Sequence, residues 1–84
     1  MTIFVANFDL KTEEVDLKEL FEDFGKVNDV HLCRDWKTGE TLGYAFIEMP
    51  FDGDAEWAIE KLDGKQWNGR RLKVCEKQER RREY

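Results

Sequence analysis

Apolar residues recur at the spacing of one helix face, i, i+3, i+4 and i+7, in two segments of the chain. The first segment has this spacing at Leu17, Leu20, Phe21 and Phe24, and the second has it at Ala55, Ala58, Ile59 and Leu62. Thr12 precedes two glutamates that suit the first turn of a helix, and Gly25 directly follows the first segment as a stop signal. The pattern predicts two helices, the first beginning after Thr12 and the second ending at Asp63-Gly64.

Four other stretches carry the β-branched, aromatic or alternating apolar residues that are typical of β-strands. They are residues 2–8, residues 27–34, residues 42–49 and a last stretch around Leu72 and Val74. Trp67 and Asn68-Gly69 indicate a small hairpin before the last strand. The order β-α-β-β-α-β predicts an α+β ferredoxin-like sandwich, in which a four-stranded antiparallel sheet carries both helices on one face.

Side-chain alternation predicts what the uncovered face of this sheet displays. In the first strand Ile3 and Val5 point towards the helices, so Phe4 and Ala6 point outward. In the third strand the same alternation turns Ala45 and Ile47 inward. The outward residues of that strand are Tyr44, Phe46 and Glu48. Three aromatic side chains on neighbouring strands predict a platform on which unpaired bases can stack.

The charge distribution removes an objection to a nucleic-acid partner. The chain has 84 residues, enough for one domain, and a net charge of −5. Residues 1–60 carry five Lys or Arg against fifteen Asp or Glu, whereas residues 61–84 carry nine against four. One basic surface is therefore compatible with an acidic protein. No apolar run approaches the ~20 residues of a membrane span, and no signal peptide is visible, so we expect a cytoplasmic protein.

Neither a metal site nor an enzyme is expected from the residues present. Cys33, Cys75 and the single histidine, His31, do not have the spacing of a zinc site, and an intracellular location favours free thiols. No nucleophile with a neighbouring base and no phosphate-binding glycine loop is recognisable. We therefore predict a non-enzymatic protein without cofactors.

Two motifs in the predicted central strands resemble those of one family. Residues 3–8, Ile-Phe-Val-Ala-Asn-Phe, resemble the hexamer of the RNA recognition motif, and residues 42–49 resemble its octamer. Residues 62–64 and 69–74 are similar to the family's end of helix two and last strand. Leu42 and Met49 depart from the octamer, which prefers a basic residue first and an aromatic residue last. By length the chain resembles the small single-domain bacterial members, although an excised nuclear eukaryotic domain would look alike.

The resemblance implies a function, a strand order and a set of binding residues. It implies a domain over residues 1–78, strand order 4-1-3-2 and a charged, flexible tail over residues 79–84. The order puts Cys33 and Cys75 on opposite edges, too far apart for a disulfide. Bases of single-stranded RNA would stack on Phe4, Tyr44 and Phe46. Phosphates would contact Arg71, Lys73 and Lys77, and His31 would line the far edge of the platform.

Other ligands and partners stay open at this point. Single-stranded DNA is an alternative ligand, because stacking tolerates either sugar. Some members of the family bind peptides through an acidic first helix and a motif comparable to residues 65–67, Lys-Gln-Trp. Trp57 lies opposite the apolar stripe of the second helix and is a candidate protein contact. Trp36, in the turn after the second strand, is a candidate either for RNA contact or for capping the sheet. We expect a monomer.

Overall fold

The computed structural model describes residues 1–77, so the predicted tail lies outside the described residues. The first half contains β1 (Thr2–Ala6), α1 (Glu14–Glu22), β2 (Asp29–Arg34) and β3 (Thr41–Glu48). The second half contains α2 (Asp52–Leu62), β4 (Gln66–Trp67), β5 (Arg70–Arg71) and β6 (Lys73–Glu76). Within residues 1–77 neither helix is long and apolar enough to cross a membrane.

Four of the strands form one antiparallel sheet in the order β2-β3-β1-β6. This order is the predicted 4-1-3-2 arrangement read from the other edge, so the ferredoxin-like α+β prediction is confirmed. The strands that carry the two sequence motifs, β1 and β3, are the central pair. Cys33 and Cys75 lie on the two outer strands, and both are free thiols.

The core lies between one face of the sheet and the two helices. Ile3 and Val5 of β1 and Ala45 and Ile47 of β3 are fully buried, as the alternation predicted. The helices contribute their buried stripes, namely Leu17, Phe21, Ala55, Ala58 and Leu62. Burial of these apolar side chains is the main stabilising contribution to a domain of this size. Both α1 and α2 therefore leave uncovered the opposite face of the sheet, here called the open face.

The boundaries of α1 differ from the sequence prediction at both ends. The residue that caps the helix is Glu13, not Thr12, because the Glu13 N–H donates to the Asp16 carboxylate at 2.9 Å. Thr12 is buried instead, and its hydroxyl has no hydrogen-bond partner among residues 1–77. The helix ends at Glu22, so Phe24 lies beyond it, against the second helix. The carboxylates of the first turn favour this later start, since they lie at the positive end of the helix dipole.

The last predicted strand is divided into two pieces. Asn68 and Gly69 both have positive φ, 50° and 84°, so they form the two-residue turn of a hairpin that pairs β4 with β5. Leu72 then points into the core, and β6 continues in the main sheet beside β1. The prediction of a hairpin at this turn is confirmed. The prediction that Arg71 belongs to the last sheet strand is wrong, because Arg71 pairs within the hairpin.

Asn7 reverses the alternation of β1 at the end of the strand. Its φ of 68° is left-handed, a conformation that asparagine tolerates better than most residues. Regular alternation would place Phe8 on the open face with Phe4 and Ala6. Instead Phe8 is fully buried. The Asn7 amide donates from Nδ2 to the backbone oxygen of Arg71 at 2.7 Å, which ties the end of β1 to the hairpin.

Substitution of Asn7 is expected to separate the contribution of its left-handed backbone from that of its side-chain hydrogen bond to Arg71. An Asn7→Gly variant keeps the left-handed backbone accessible and loses the side-chain hydrogen bond, at a cost of about 1 kcal/mol. An Asn7→Ala variant loses the same bond and adds left-handed strain of about 1–2 kcal/mol. Urea denaturation followed by circular dichroism measures both values. Equal stability of the two variants would contradict the role given to the backbone conformation.

Candidate nucleic-acid interface

The open face carries three rows of side chains that run across the strands. The middle row consists of His31, Phe46, Phe4 and Cys75, because the register pairs each of these residues with the next. One end row contains Tyr44, Ala6 and Lys73, and the other contains Asp29, Glu48 and Thr2. These are called the Tyr44 row and the Glu48 row. Each row is about 7 Å from the next, the rise of two strand residues.

Phe4, Tyr44 and Phe46 form an aromatic triad at the centre of this face. The ring centres lie 6.0 Å apart for Phe4 and Tyr44, 5.7 Å for Phe4 and Phe46, and 6.1 Å for Tyr44 and Phe46. All three side chains are half-buried. Mutual contact restricts the rotamers of the rings, so ordering them costs little when a ligand binds. The sequence predicted all three residues, and the structure brings them together.

Lys77 occupies a different position from the one expected of a phosphate ligand at the edge. Its backbone N–H donates to the backbone oxygen of Thr2 at 2.8 Å, which fixes Lys77 beside β1. Its ammonium then lies over the Phe46 ring, 5.4 Å from the ring centre. A cation over an aromatic face is an attractive contact. The ammonium therefore covers part of the Phe46 ring face on the open side of the sheet.

The end of the platform at the Tyr44 row is basic. Lys73 is exposed opposite Ala6, as predicted. Arg71 is also exposed, but it reaches this end from the hairpin and not from the sheet. Arg70 accompanies it and donates to the Asn7 side-chain oxygen at 3.4 Å. Sequence reasoning missed Arg70, although the Arg-Arg pair after the Asn-Gly turn was a usable signal.

The neighbouring outer strand contributes His31 and Cys33. His31 is exposed and pairs with Phe46, so it forms the outer end of the middle row, at the far edge of the platform as expected. Cys33 is half-buried beside Tyr44. Burial raises the pKa of the Cys33 thiol, and a hydrogen bond with Tyr44 acts in the opposite direction. Cys33 is therefore a neutral thiol at physiological pH and packs as a small apolar group against the triad.

The loop between β2 and β3 presents Trp36 at the basic end of the platform. The Asp35 carboxylate accepts hydrogen bonds from the backbone N–H groups of Lys37 and Thr38, and the Gly39 N–H donates to the backbone oxygen of Asp35 at 2.8 Å. These bonds order the loop. Trp36 is nonetheless 87% exposed, with the Lys37 ammonium 5.3 Å from its ring. The tryptophan therefore does not cap the sheet, and RNA contact stays a prediction.

An ion pair attaches the end of β2 to the start of α1. Arg34 donates to the Glu14 carboxylate at 2.8 Å. This hydrogen bond holds the pKa of the Glu14 carboxyl below its usual range. A lowered pKa in the folded state contributes stability above the ordinary carboxyl pKa, and this contribution disappears as the pH falls through the lowered value. The pair is exposed, so its contribution is small.

Trp57 lies on the helical side, opposite the platform. It is 49% exposed and meets Phe24 edge to face, with ring centres 5.2 Å apart. The prediction of an exposed residue is confirmed for one side of the ring only, because the other side packs on Phe24. Trp67 is half-buried and lines a shallow cavity of about 330 Å³ with acidic residues of α1. Residues 65–67 and the acidic helix are thus neighbours, as the peptide-binding alternative requires.

Comparison with known proteins places this geometry in a family. The family described as RNA recognition motif matches residues 3–73. RbpD of Nostoc sp., described by name as an RNA-binding protein, is 46% identical over 74 residues, which cover 88% of this chain and 79% of RbpD. The crystal structure of RNA binding protein PG1 superposes with a TM-score of 0.91 at 36% identity, covering 98% of this chain and 99% of PG1. The Rna15 domain with bound RNA (GU) gives a TM-score of 0.84 at 26% identity, covering 93% and 83% of the two chains.

Proposed function

This chain belongs to the RNA recognition motif family, and from that premise we propose that it binds single-stranded RNA by stacking bases on the aromatic triad. The observation that carries the proposal is the contact of Phe4, Tyr44 and Phe46 on a sheet face that neither α1 nor α2 covers. Aromatic rings exposed to water on a rigid surface are suited to the flat faces of unpaired bases. The similarity to the RNA-bound Rna15 domain supports the same ligand class.

The spacing of the rings determines how many bases the platform accepts. With ring centres about 6 Å apart, the triad accommodates two or three nucleotides of an unstacked strand. A duplex is not accepted, because paired bases stack on one another and hide their faces. The bound strand is therefore single-stranded. Single-stranded DNA remains an alternative ligand, since none of the contacts named so far requires a 2′-hydroxyl group.

The basic end of the platform is proposed to hold the sugar-phosphate backbone. Lys73, Arg71 and Arg70 are exposed there. Lys77 lies beside Thr2 at the opposite end and adds a further cation when a base displaces its ammonium from Phe46. The octamer position that is usually basic in the family holds Leu42, which is exposed and cannot pair with a phosphate. We expect about two or three phosphates to be neutralised, which gives a modest salt dependence of affinity.

The proposal is tested first with the wild-type protein. Fluorescence anisotropy of labelled single-stranded RNA pools, matched DNA pools and an RNA duplex, at two salt concentrations, measures ligand class and salt dependence together. We expect saturable binding to the single-stranded RNA pool and little binding to the duplex. Absence of binding to every single-stranded pool at low salt would refute the proposal.

Replacement of Lys73 is expected to weaken binding without changing sequence preference. A Lys73→Ala variant loses one phosphate contact, so the slope of log K against log salt becomes shallower by about 0.7. Lys61→Ala, an exposed lysine of α2 on the helical side, is the matched control and should leave the slope unchanged. An unchanged slope in both variants would place the phosphates elsewhere.

Alkylation of Cys75 offers an independent footprint of the bound strand. Cys75 is exposed in the middle row, directly opposite Phe4. In a Cys33→Ser variant Cys75 is the single thiol, so iodoacetamide labelling measured by mass spectrometry reports on this position alone. Saturating RNA is expected to slow labelling several-fold, because bases on the triad cover the neighbouring thiol. Labelling at an unchanged rate in the bound state would argue against stacking on the middle row.

Protein binding through the helical side is the less favoured function. It rests on Trp57, the acidic α1 and the cavity beside Trp67. The chain retains all three ring positions of the sheet, and this observation favours RNA. We further propose that the protein is monomeric, non-enzymatic and located in the cytoplasm. Its similarity to a bacterial RNA-binding relative supports this. Analytical ultracentrifugation of the free protein tests the monomeric state.

A further inference from the structure

Glu48 occupies a position beside the triad that the proposed function does not use. It follows Phe46 by two residues on β3, so both side chains lie on the open face, about 7 Å apart along the strand. Across the strands its partners in the register are Thr2 and Asp29. A base stacked on Phe46 therefore has Glu48 as its neighbour towards this end of the platform.

Two carboxylates lie side by side at Glu48 and Asp29, and one cation, the Lys77 ammonium, lies nearby over the Phe46 ring. Glu48 and Asp29 are direct cross-strand partners, and like charges in that arrangement destabilise a sheet. The nearest polar contact of the Glu48 carboxylate is a long one, from the Thr2 hydroxyl at 3.4 Å. Neither carboxylate forms an ion pair with another described residue. The Glu48 carboxylate is therefore exposed with most of its acceptor capacity free.

The sign of this charge decides which part of a nucleotide can lie over it. Near Glu48 two carboxylates outweigh the single positive charge of Lys77 over Phe46, so phosphates are repelled there. The arginines and Lys73 at the other end of the platform attract them. The backbone of the strand is thus directed towards the Tyr44 row. The edge of the base on Phe46 is left facing Glu48.

An ionised carboxylate accepts hydrogen bonds and donates none, so it discriminates between base edges. Guanine presents adjacent N1–H and N2–H donors that match the two carboxylate oxygens. Cytosine and adenine each present one exocyclic amino group, and carboxylate side chains accept from such groups in nucleic-acid complexes. Uracil presents a single N3–H between two carbonyl oxygens, which the carboxylate repels.

We propose that Glu48 determines base preference at the Phe46 position, selecting guanine and rejecting uracil. The inference rests on the proposed function, since it needs a base stacked on Phe46. It adds a preference to that function, which stacking alone does not supply because every base has an aromatic face.

The test compares labelled hexamers that differ at one nucleotide, UUUUUU and UUUGUU, by fluorescence anisotropy. Wild-type protein is expected to bind the guanine-containing hexamer about tenfold more tightly. In a Glu48→Gln variant the amide offers one acceptor and one donor, which suits the N3–H and O4 of uracil. The preference should therefore fall below about twofold or reverse, with tighter binding of UUUUUU.

Glu76→Gln is the matched control. It removes the same charge at the same end of the sheet, but Glu76 pairs with Ile3, so its side chain belongs to the opposite face. We expect this variant to retain the wild-type preference, after circular dichroism shows that both variants fold. Equal affinity of wild-type protein for the two hexamers, or an equal change of preference in both variants, overturns the role of Glu48 and leaves RNA binding intact. Failure of wild-type protein to bind either hexamer overturns the proposed function itself and the inference with it.

Discussion

A Tyr44→Ala/Phe46→Ala variant is expected to lose about 30-fold or more in affinity for single-stranded RNA while remaining folded. Each base stacked on an aromatic ring is worth about 1–3 kcal/mol, so losing two rings removes about 2–6 kcal/mol. Both side chains are half-buried on the open face and lie outside the buried core. Their removal therefore costs little folding free energy compared with the loss of binding.

Anisotropy titrations with the RNA pool measure this loss, and circular dichroism confirms the fold. Trp57→Ala is the matched control, because it removes a partly exposed aromatic side chain from the opposite side of the molecule. We expect wild-type affinity in the control. Retained affinity in the double variant would show that RNA binds to another surface. Trp36 would then be the first residue to replace.

A Phe8→Ala variant is expected to have the largest effect on stability, a loss of about 3–5 kcal/mol in the free energy of unfolding. Phe8 is among the largest fully buried side chains, and alanine leaves a cavity in a small core. Domains of this size have a total stability of about 5–10 kcal/mol, so the variant should be close to unfolding.

Phe4→Ala provides the contrasting case on the same strand. It removes the same number of atoms from the open face, so it should weaken RNA binding and change the urea midpoint only slightly. Urea denaturation of the two variants side by side, followed by circular dichroism, measures the difference. Similar midpoints for Phe8→Ala and Phe4→Ala would contradict the assignment of one ring to the core and the other to the platform.

The regular parts of this protein could be predicted from its sequence. Strand alternation identified Phe4, Tyr44 and Phe46 because a two-residue period is enforced by the pleat wherever the ladder is continuous. Helical spacing identified the buried faces of α1 and α2, because the 3.6-residue period of a helix determines which side chains share a face. Local rules suffice at these positions, since the core requires one face of each element to be apolar.

The irregular parts depended on contacts between distant segments. Phe8 turns inward because Asn7 adopts a left-handed conformation, which its bond to the Arg71 backbone supports from 64 residues away. Arg71 lies outside the main sheet because it pairs with Gln66 in the hairpin. Lys77 lies over Phe46 because β6 ends beside Thr2. No periodicity in the sequence encodes such tertiary hydrogen bonds and strand ends.

The acidic helices determine how far the negative charge of the protein reaches. Together α1 and α2 contain eight Asp or Glu and two Lys. They lie on the side of the sheet opposite the open face, in a molecule whose shortest dimension is 22 Å. At physiological ionic strength the Debye length is about 8 Å, so salt screens these carboxylates from a ligand on the other side. In ~0.01 M salt the Debye length grows to about 30 Å, longer than the molecule is thick. A plot of log affinity against log salt should therefore be straight near physiological salt and flatten as the solution is diluted.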